Sequence, residues 1–304
     1  MNTYEHCSYK HEPFPDYKPT PYHEWLKDLE SGNVTFEELQ NRFSSICRNC
    51  YPGIDLPVPQ KSFRPQNWML LRSYYALGKR IAPLKFLHTW YGQLQFTEQT
   101  SVVIKDVSIP NNLLPRLTQV LPPYLLTIVQ NPFASIAAVL KGVELGIFGQ
   151  AQSAKLTKIR KLIDAYDGKF CSEYRDKLED ISATQVEAVR WRMETEPVVE
   201  YAKAYENGLV ILYENLCIDP YGKMSEIFDF VGWKLGQSTR DFIKSSISGE
   251  RENANQHEAF YGVYRDPHVS LSKWKTQLTQ AQIEEIAAVI FDSPLKTFWS
   301  NLPL

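Results

Sequence analysis

The chain has 304 residues, 43% hydrophobic and 22% charged, which suits a globular protein with one large core or two smaller ones. Its formal net charge of −2 gives no basic excess of the kind that drives non-specific nucleic-acid binding, so no nucleic-acid partner is expected. No apolar stretch reaches the roughly 20 residues that span a bilayer, and no secretory pattern follows Met1, so we predict a cytoplasmic protein without a transmembrane segment.

The cysteines and histidines do not form a recognisable pattern. Five cysteines are an odd number, which argues against a disulfide framework. Cys47 and Cys50 form a C-x-x-C pair without the second pair that a zinc site needs, and no H-E-x-x-H spacing is present. Reduced thiols and no metal are therefore expected.

The first part of the chain, residues 1–65, is rich in proline and aromatic residues. We interpret it as a connecting segment with one short helix, which Thr35 caps and which runs to about Ile46. A second helix is predicted over residues 67–77, where apolar residues recur at helical spacing.

Three short runs rich in β-branched residues are predicted strands. These runs are residues 102–104, 124–129 and 208–214. Continuous apolar runs indicate strands buried on both faces of a parallel sheet, and helical stretches separate them. The alternation predicts an α/β fold whose functional residues cluster at the carboxyl ends of the strands. Lys105, Gln130 and Tyr213 lie at or just past those ends.

These strands carry recognisable motifs. The motifs are Ile104-Lys105-Asp106-Val107, then Val129-Gln130-Asn131-Pro132 with Phe133-Ala134-Ser135, then Tyr213-Glu214-Asn215-Leu216 with Asp219-Pro220. Glu12-Pro13-Phe14 and Trp274-Lys275-Thr276 flank them. In this order they resemble the sulfotransferases that use 3′-phosphoadenosine 5′-phosphosulfate (PAPS), especially the carbohydrate-type branch.

The resemblance implies a P-loop-like, three-layer α/β fold with a central parallel sheet, in a single domain over residues 1–304. Residues 1–100 would form an irregular acceptor-side segment, 101–235 the core strands and helices, and 236–304 a loop and helix over the cofactor. The family's first strand and its Pro-Lys/Arg-Ser-Gly-Thr-Thr phosphate loop have no counterpart here. We expect the missing piece to lie upstream of Met1, through either a misplaced gene start or a truncated gene.

The resemblance also implies a cofactor site. In the family, an arginine and a serine eight residues later bind the 3′-phosphate, and here those positions hold Gln130 and Ala138. Ser135 could bind the phosphate instead, or could cap the helix. Tyr213 matches the tyrosine that contacts the adenine ring, although a core tyrosine would look the same. The predicted cofactor-binding residues are Gln130, Ser135, Tyr213, Arg265 and Lys275.

Sulfuryl transfer requires a general base and a cation near the leaving oxygen. Glu12 matches the family's Glu-Pro carboxylate and is the first candidate base, with His11 second and Asp106 third. Glu12 could instead be a solvated loop charge. Lys105 could face the reacting centre, or could pair with Asp106 or Glu12. Val107 stands where the small-phenol branch has a catalytic histidine, which disfavours that branch.

The leading prediction is therefore sulfuryl transfer from PAPS to a hydroxyl of a carbohydrate, lipid or secondary metabolite, without a metal. Because Gln130 and Ala138 replace charged and hydroxyl ligands, an inactive homologue that acts as a binding or scaffold protein is the alternative. A P-loop kinase is disfavoured because no Gly-x-x-x-x-Gly-Lys-Ser/Thr motif occurs. For the chain as given we expect very weak cofactor binding and no transfer.

Overall fold

The computed structural model describes residues 7–12, 25, 28–29, 31–32, 34–48, 68–93, 100–107, 109–120, 123–148, 152–247 and 266–299. The chain divides into two compact units, which are described separately. Unit 1 is Met1–Pro122 with Leu235–Phe242, and unit 2 is Pro123–Lys234 with Ile243–Leu304. The architecture is mixed α/β, mostly helical with small parallel sheets, which agrees with the predicted fold class. The single central sheet expected from the sequence is not seen among the described residues, whose strands form two separate two-stranded sheets. The P-loop-like arrangement, the single domain and the missing upstream strand remain predictions.

The sheet of unit 1 consists of two parallel strands, β1 (Cys7–His11) and β2 (Ser101–Lys105). The register runs from Cys7 opposite Ser101 to His11 opposite Lys105. The interpretation of residues 1–65 as a connecting segment with one helix was therefore wrong at β1. This strand contains a lysine and a histidine rather than a β-branched run, so only its pairing with β2 reveals it.

The helices of unit 1 are α1 (Phe36–Arg48), α2 (Trp68–Arg80), α3 (Lys85–Gln93) and α4 (Leu114–Val120). Short 3₁₀ turns at Ala82–Leu84 and Asn111–Leu113 precede α3 and α4. The Thr35 side chain accepts a hydrogen bond from the Glu38 backbone N–H at 3.2 Å, which confirms the predicted cap of α1.

One small core joins the beginning of unit 1 to α4. Its buried members are Leu29, Val34, Leu39, Ile46, Leu113 and Leu117. Arg116 on α4 donates hydrogen bonds to the backbone carbonyls of Leu29 at 2.9 Å and Val34 at 3.2 Å. The guanidinium thus joins α4 to backbone carbonyl groups of the segment that precedes α1.

The sheet of unit 2 consists of β3 (Leu125–Val129) and β4 (Gly208–Leu212), again parallel. A side chain at Gly208 would place its Cβ 1.9 Å from the backbone oxygen of Ala202, so the chain can enter β4 only with glycine at this position. In the part of the chain that the structure describes, each sheet has two strands.

Unit 2 is mostly helical. Its described helices are α5 (Pro132–Glu144), α6 (Gln152–Ala165), α7 (Ala183–Ala204), α8 (Tyr213–Ile218) and α9 (Pro220–Phe230), then α11 (Pro267–Ser272), α12 (Trp274–Gln277) and α13 (Gln280–Ile290). Of these, α5, α6, α7 and α13 contribute side chains to one buried core. Between α9 and α11, α10 (Gln237–Ile247) spans the division between the two units. The core includes Leu178, Val189, Met193 and Ile286, each fully buried. No helix among the described residues is both long and apolar enough to cross a membrane.

Candidate functional site

The carboxyl end of the unit 1 sheet brings Glu12 and Lys105 together. Lys105 is the last residue of β2, and Glu12 directly follows β1. The Lys105 Nζ donates to Oε1 of Glu12, although the two residues are 93 positions apart in the sequence. The Glu12 side chain is only 11% exposed, so its interpretation as a solvated loop charge was wrong. Lys105 was expected to face the reacting centre or to pair with Asp106 or Glu12, and the structure shows the ion pair with Glu12.

The backbone of Glu12 is also unusual. Its φ of 48° lies in the left-handed region, which non-glycine residues rarely occupy. Its N–H donates to the Lys105 carbonyl at 2.7 Å and extends the ladder by one residue. Left-handed non-glycine residues cost roughly 1–2 kcal/mol and concentrate at functional sites. Asp167 and Cys171 also have a left-handed φ, so this conformation accompanies the Glu12–Lys105 pair but does not by itself identify a functional residue.

The two other candidate bases lie close to this pair in the chain. His11 ends β1, with its backbone opposite Lys105; its side chain falls outside the described atoms. Asp106 follows Lys105, and its Oδ1 accepts a hydrogen bond from the Ile109 backbone N–H at 3.1 Å. Asp106 thus stabilises the turn after β2, which ranks it behind Glu12 as a base.

Sequence reasoning missed two buried titratable residues of unit 1, Lys10 on β1 and His88 on α3. Lys10 is fully buried, and His88 on α3 is 1% exposed and contacts the Tyr75 ring edge-on. Burial, and to a lesser degree the charge of Lys10, lower the pKa of His88 to about 4. The one sequence signal was a charged residue inside a strand, which is visible only once β1 is recognised.

The carboxyl end of the unit 2 sheet places Gln130 and Tyr213 side by side. Val129 and Leu212 form the last register pair of β3 and β4, and the two predicted cofactor residues follow them directly. Both side chains are half-buried. The sequence motifs thus meet at one edge of a parallel sheet, the position at which α/β proteins bind ligands.

Glu214 holds this edge in place. One carboxylate oxygen accepts from the Asn131 backbone N–H at 2.8 Å, and the other accepts from Nε1 of Trp299 at 3.0 Å. Asn131 is 1% exposed and Glu214 is 2% exposed. The turn after β3, the first turn of α8 and the end of the chain's last described 3₁₀ helix, Pro294–Phe298, are therefore linked through one buried carboxylate.

Helix α5 begins at Pro132, and Asn131 is its N-cap. The Asn131 side chain accepts from the Phe133 backbone N–H at 2.9 Å, with Pro132 at the first helical position. The interpretation of Ser135 as the cap was therefore wrong. Ser135 lies in the first turn, half-buried, and Ala138 is exposed one turn further along.

The remaining predicted cofactor residues lie at the other end of unit 2 in sequence. The Trp274 ring stacks on Phe133 of α5, with centroids 4.9 Å apart. The exposed Lys275 places its Nζ 5.7 Å from the centre of the Trp274 ring. Arg265 lies outside the described residues, so its role stays a prediction.

Each sheet edge offers distinct chemistry. In unit 1, a buried carboxylate with an ammonium partner can accept a proton and stabilise negative charge. In unit 2, the Gln130 amide can donate to an anion and the positive end of the α5 dipole favours one, but a neutral amide binds a phosphate less strongly than a guanidinium does. Among the described residues, no three His, Cys, Asp or Glu side chains are grouped as a metal site requires.

Comparison with known proteins gives a partial match. Carbohydrate sulfotransferase 1 of Danio rerio is 27% identical over 71 residues, which is 23% of this chain and 16% of that protein. No family model matches the chain, and no solved structure matches it. The partial match points to a relationship with sulfotransferases, and so to the transferase class.

Proposed function

We propose that this chain is a sulfotransferase that transfers a sulfuryl group from PAPS to a hydroxyl of a carbohydrate, lipid or secondary metabolite. The main support is the ion pair of Glu12 and Lys105 at the ends of adjacent parallel strands. Both residues stand out in the sequence as a base and a cation, in two separate motifs. The similarity to a carbohydrate sulfotransferase supports the same class.

The proposed chemistry assigns one role to each partner of the pair. Glu12 takes the proton of the acceptor hydroxyl as its oxygen attacks the sulfur of PAPS. The bond from sulfur to the 5′-phosphate oxygen breaks, and its electrons leave with 3′-phosphoadenosine 5′-phosphate. Lys105 stabilises the negative charge that develops during transfer. As in phosphoryl transfer, positioning and charge stabilisation supply most of the acceleration.

The nucleotide half of the proposal concerns unit 2. Tyr213 would contact the adenine, while Gln130, Ser135 and the N-terminus of α5 would contact the 3′-phosphate. Lys275 would add a cation from the neighbouring helix. Because Gln130 is uncharged, we expect nucleotide binding to be weak in the chain as it stands.

Calorimetry with 3′-phosphoadenosine 5′-phosphate tests this half of the proposal. We expect weak binding by the native chain and at least about tenfold tighter binding by Gln130→Arg, because a hydrogen bond to a charged group contributes about 1.5–3 kcal/mol. The matched control is Gln119→Arg, which adds the same charge at an exposed position of α4. Equal affinity of the two variants would overturn the placement of the nucleotide.

A second candidate function is a binding or scaffold protein without catalysis. Gln130 and Ala138 favour it, because both replace the family's phosphate ligands. An assay of radiolabelled sulfate transfer from PAPS to a panel of hydroxyl acceptors, carried out with the Gln130→Arg variant to restore cofactor binding, separates the candidates. Transfer that Glu12→Gln abolishes supports the enzyme. Nucleotide or glycan binding without transfer to any acceptor supports the second candidate.

A further inference from the structure

The segment around α2 and α3 differs in charge from the rest of the chain. Residues 56–97 contain six Lys or Arg and no Asp or Glu, although the whole chain has 35 acidic residues and a net charge of −2. Four of these basic residues, Arg72, Lys79, Arg80 and Lys85, lie on α2 or at the start of α3. This segment is therefore a local cationic region on a weakly acidic protein.

The same two helices expose large apolar side chains. Met69 is 69% exposed, Phe86 61% and Trp90 51%. Leu70, Leu77 and Ile81 are between 37% and 47% exposed. Their spacing of seven and then four residues puts them on one side of α2, and the Ile81 N–H still donates to the Leu77 carbonyl at 2.8 Å. Phe86 and Trp90 are four apart and share one side of α3.

Contacts between α2 and α3 hold the helices that carry these exposed side chains in place. The two helices pack against each other, with Tyr74 contacting Tyr91 at 5.3 Å between ring centroids and Tyr75 contacting His88 at 5.8 Å. The inward aromatic residues thus hold the hairpin together, while the exposed ones are left on its surface. Such a concentration of exposed apolar side chains usually marks an interaction surface.

We propose that the α2–α3 hairpin (Trp68–Gln93) docks onto the surface of an anionic lipid bilayer. Trp, Phe, Leu and Met side chains combined with Lys and Arg, and no acidic residues, are typical of helices that lie at a membrane interface. The basic side chains would contact lipid headgroups while the apolar ones enter the headgroup and acyl boundary. A soluble polyanion would use the charges but leave the apolar side chains in water.

Co-sedimentation with vesicles tests this proposal. We expect the full chain to bind vesicles of phosphatidylcholine with about one third phosphatidylserine, and to bind pure phosphatidylcholine at least about tenfold more weakly. The double variant Phe86→Ser/Trp90→Ser should reduce binding to the anionic vesicles by about tenfold or more. The variant Arg80→Gln/Lys85→Gln should reduce it by about fivefold for each charge removed, and high salt should act in the same direction.

Matched controls come from unit 2. Phe291→Ser removes an aromatic side chain that is 69% exposed, and Lys158→Gln/Lys161→Gln removes two exposed charges from α6. Both should bind like the native chain, and circular dichroism should show that every variant is folded. Equal losses in the controls, or equal binding to both kinds of vesicle, would overturn the proposal. So would a dimer, seen by light scattering without lipid, that Phe86→Ser/Trp90→Ser converts to a monomer, because the hairpin would then be a self-association surface.

Discussion

The carboxylate of Glu214 accepts a hydrogen bond from the indole Nε1 of Trp299, 85 residues further along the chain, at 3.0 Å. The same carboxylate accepts from the Asn131 backbone N–H. Two segments that are remote in sequence are thereby held against the turn that contains Gln130. A ligand that binds near Gln130 would therefore depend on the hydrogen bonds of the buried Glu214 carboxylate.

Glu214→Ala should lower the free energy of unfolding by about 3 kcal/mol or more, because it leaves two buried donors without an acceptor, each costing about 1–3 kcal/mol. Urea denaturation followed by circular dichroism measures the change. The control Glu144→Ala removes a side chain that is 69% exposed and pairs with Lys141, so little change is expected. Equal effects of the two substitutions would contradict the role of the buried network.

For the buried ion pair on α7, we expect substitutions of the two partners to change the stability in a strongly non-additive way. Arg192 Nε lies 2.7 Å from Glu196 Oε1, and both side chains are almost fully buried. Arg192→Leu should destabilise the fold by about 3–5 kcal/mol, because it leaves the Glu196 charge buried without its partner. Arg192→Leu/Glu196→Leu should recover much of that loss. Thermal melts of the native chain, both single variants and the double variant form a complete cycle; additive losses would refute the coupling.

The buried imidazole of His88 predicts a loss of stability in mild acid. Burial, and secondly Lys10, lower the folded-state pKa to about 4, whereas the unfolded chain has the ordinary value of 6.5. The unfolded state therefore binds the proton first as pH falls. The contribution of the neutral His88 imidazole to the free energy of unfolding is complete above about pH 6.5. It is lost progressively toward pH 4, with a slope approaching 1.4 kcal/mol per pH unit.

Urea denaturation at several pH values measures this slope, and His88→Gln should flatten it over that range. Lys10→Met removes the nearby positive charge, so the pKa of His88 should rise, which NMR titration of the imidazole can follow. An unchanged slope in His88→Gln would assign the acid sensitivity to other groups.

If Glu12 is the general base, its substitution should slow the transfer step without weakening nucleotide binding. Glu12→Gln keeps the shape of the side chain but removes its ability to take a proton at neutral pH. In a Gln130→Arg background with tighter cofactor binding, we expect Glu12→Gln to lower transfer by about 10²–10⁴ in kcat. Nucleotide affinity should stay within about twofold, which calorimetry checks. A parallel loss of affinity would instead assign Glu12 to cofactor binding.

Two thiols with a raised pKa, the buried Cys171 and the half-buried Cys7, should resist alkylation. Burial raises the pKa of Cys171 to about 12 and that of Cys7 to about 11, and only the thiolate is nucleophilic. Treatment with iodoacetamide at pH 8 should leave both unmodified in the folded chain, and peptide mapping by mass spectrometry should detect modification of both in urea. Cys47, which is half-buried on α1, serves as the internal comparison and should react faster. Rapid native labelling of Cys171 would show that the unit 2 core opens readily.

Much of the local structure followed from the sequence alone. The β-branched runs predicted β2, β3 and β4 within about two residues of their ends, because such runs suit buried parallel strands whatever their partners. Thr35 was identified as a cap because a helix N-cap bonds to a backbone N–H only a few residues away, which is also a local signal. The cap of α5 was missed, although Asn131 before Pro132 has the ordinary signature of a helix start.

The tertiary structure decided which residues meet. The sequence singled out Glu12 and Lys105 but left their pairing open, and it gave no sign of β1, of Lys10 beside His88, or of the bond from Trp299 to Glu214. Propensities and caps act over a few neighbouring residues, so they can be read from a short segment. Strand pairing and buried contacts join positions 83–94 residues apart, and their partners depend on the path of the whole chain.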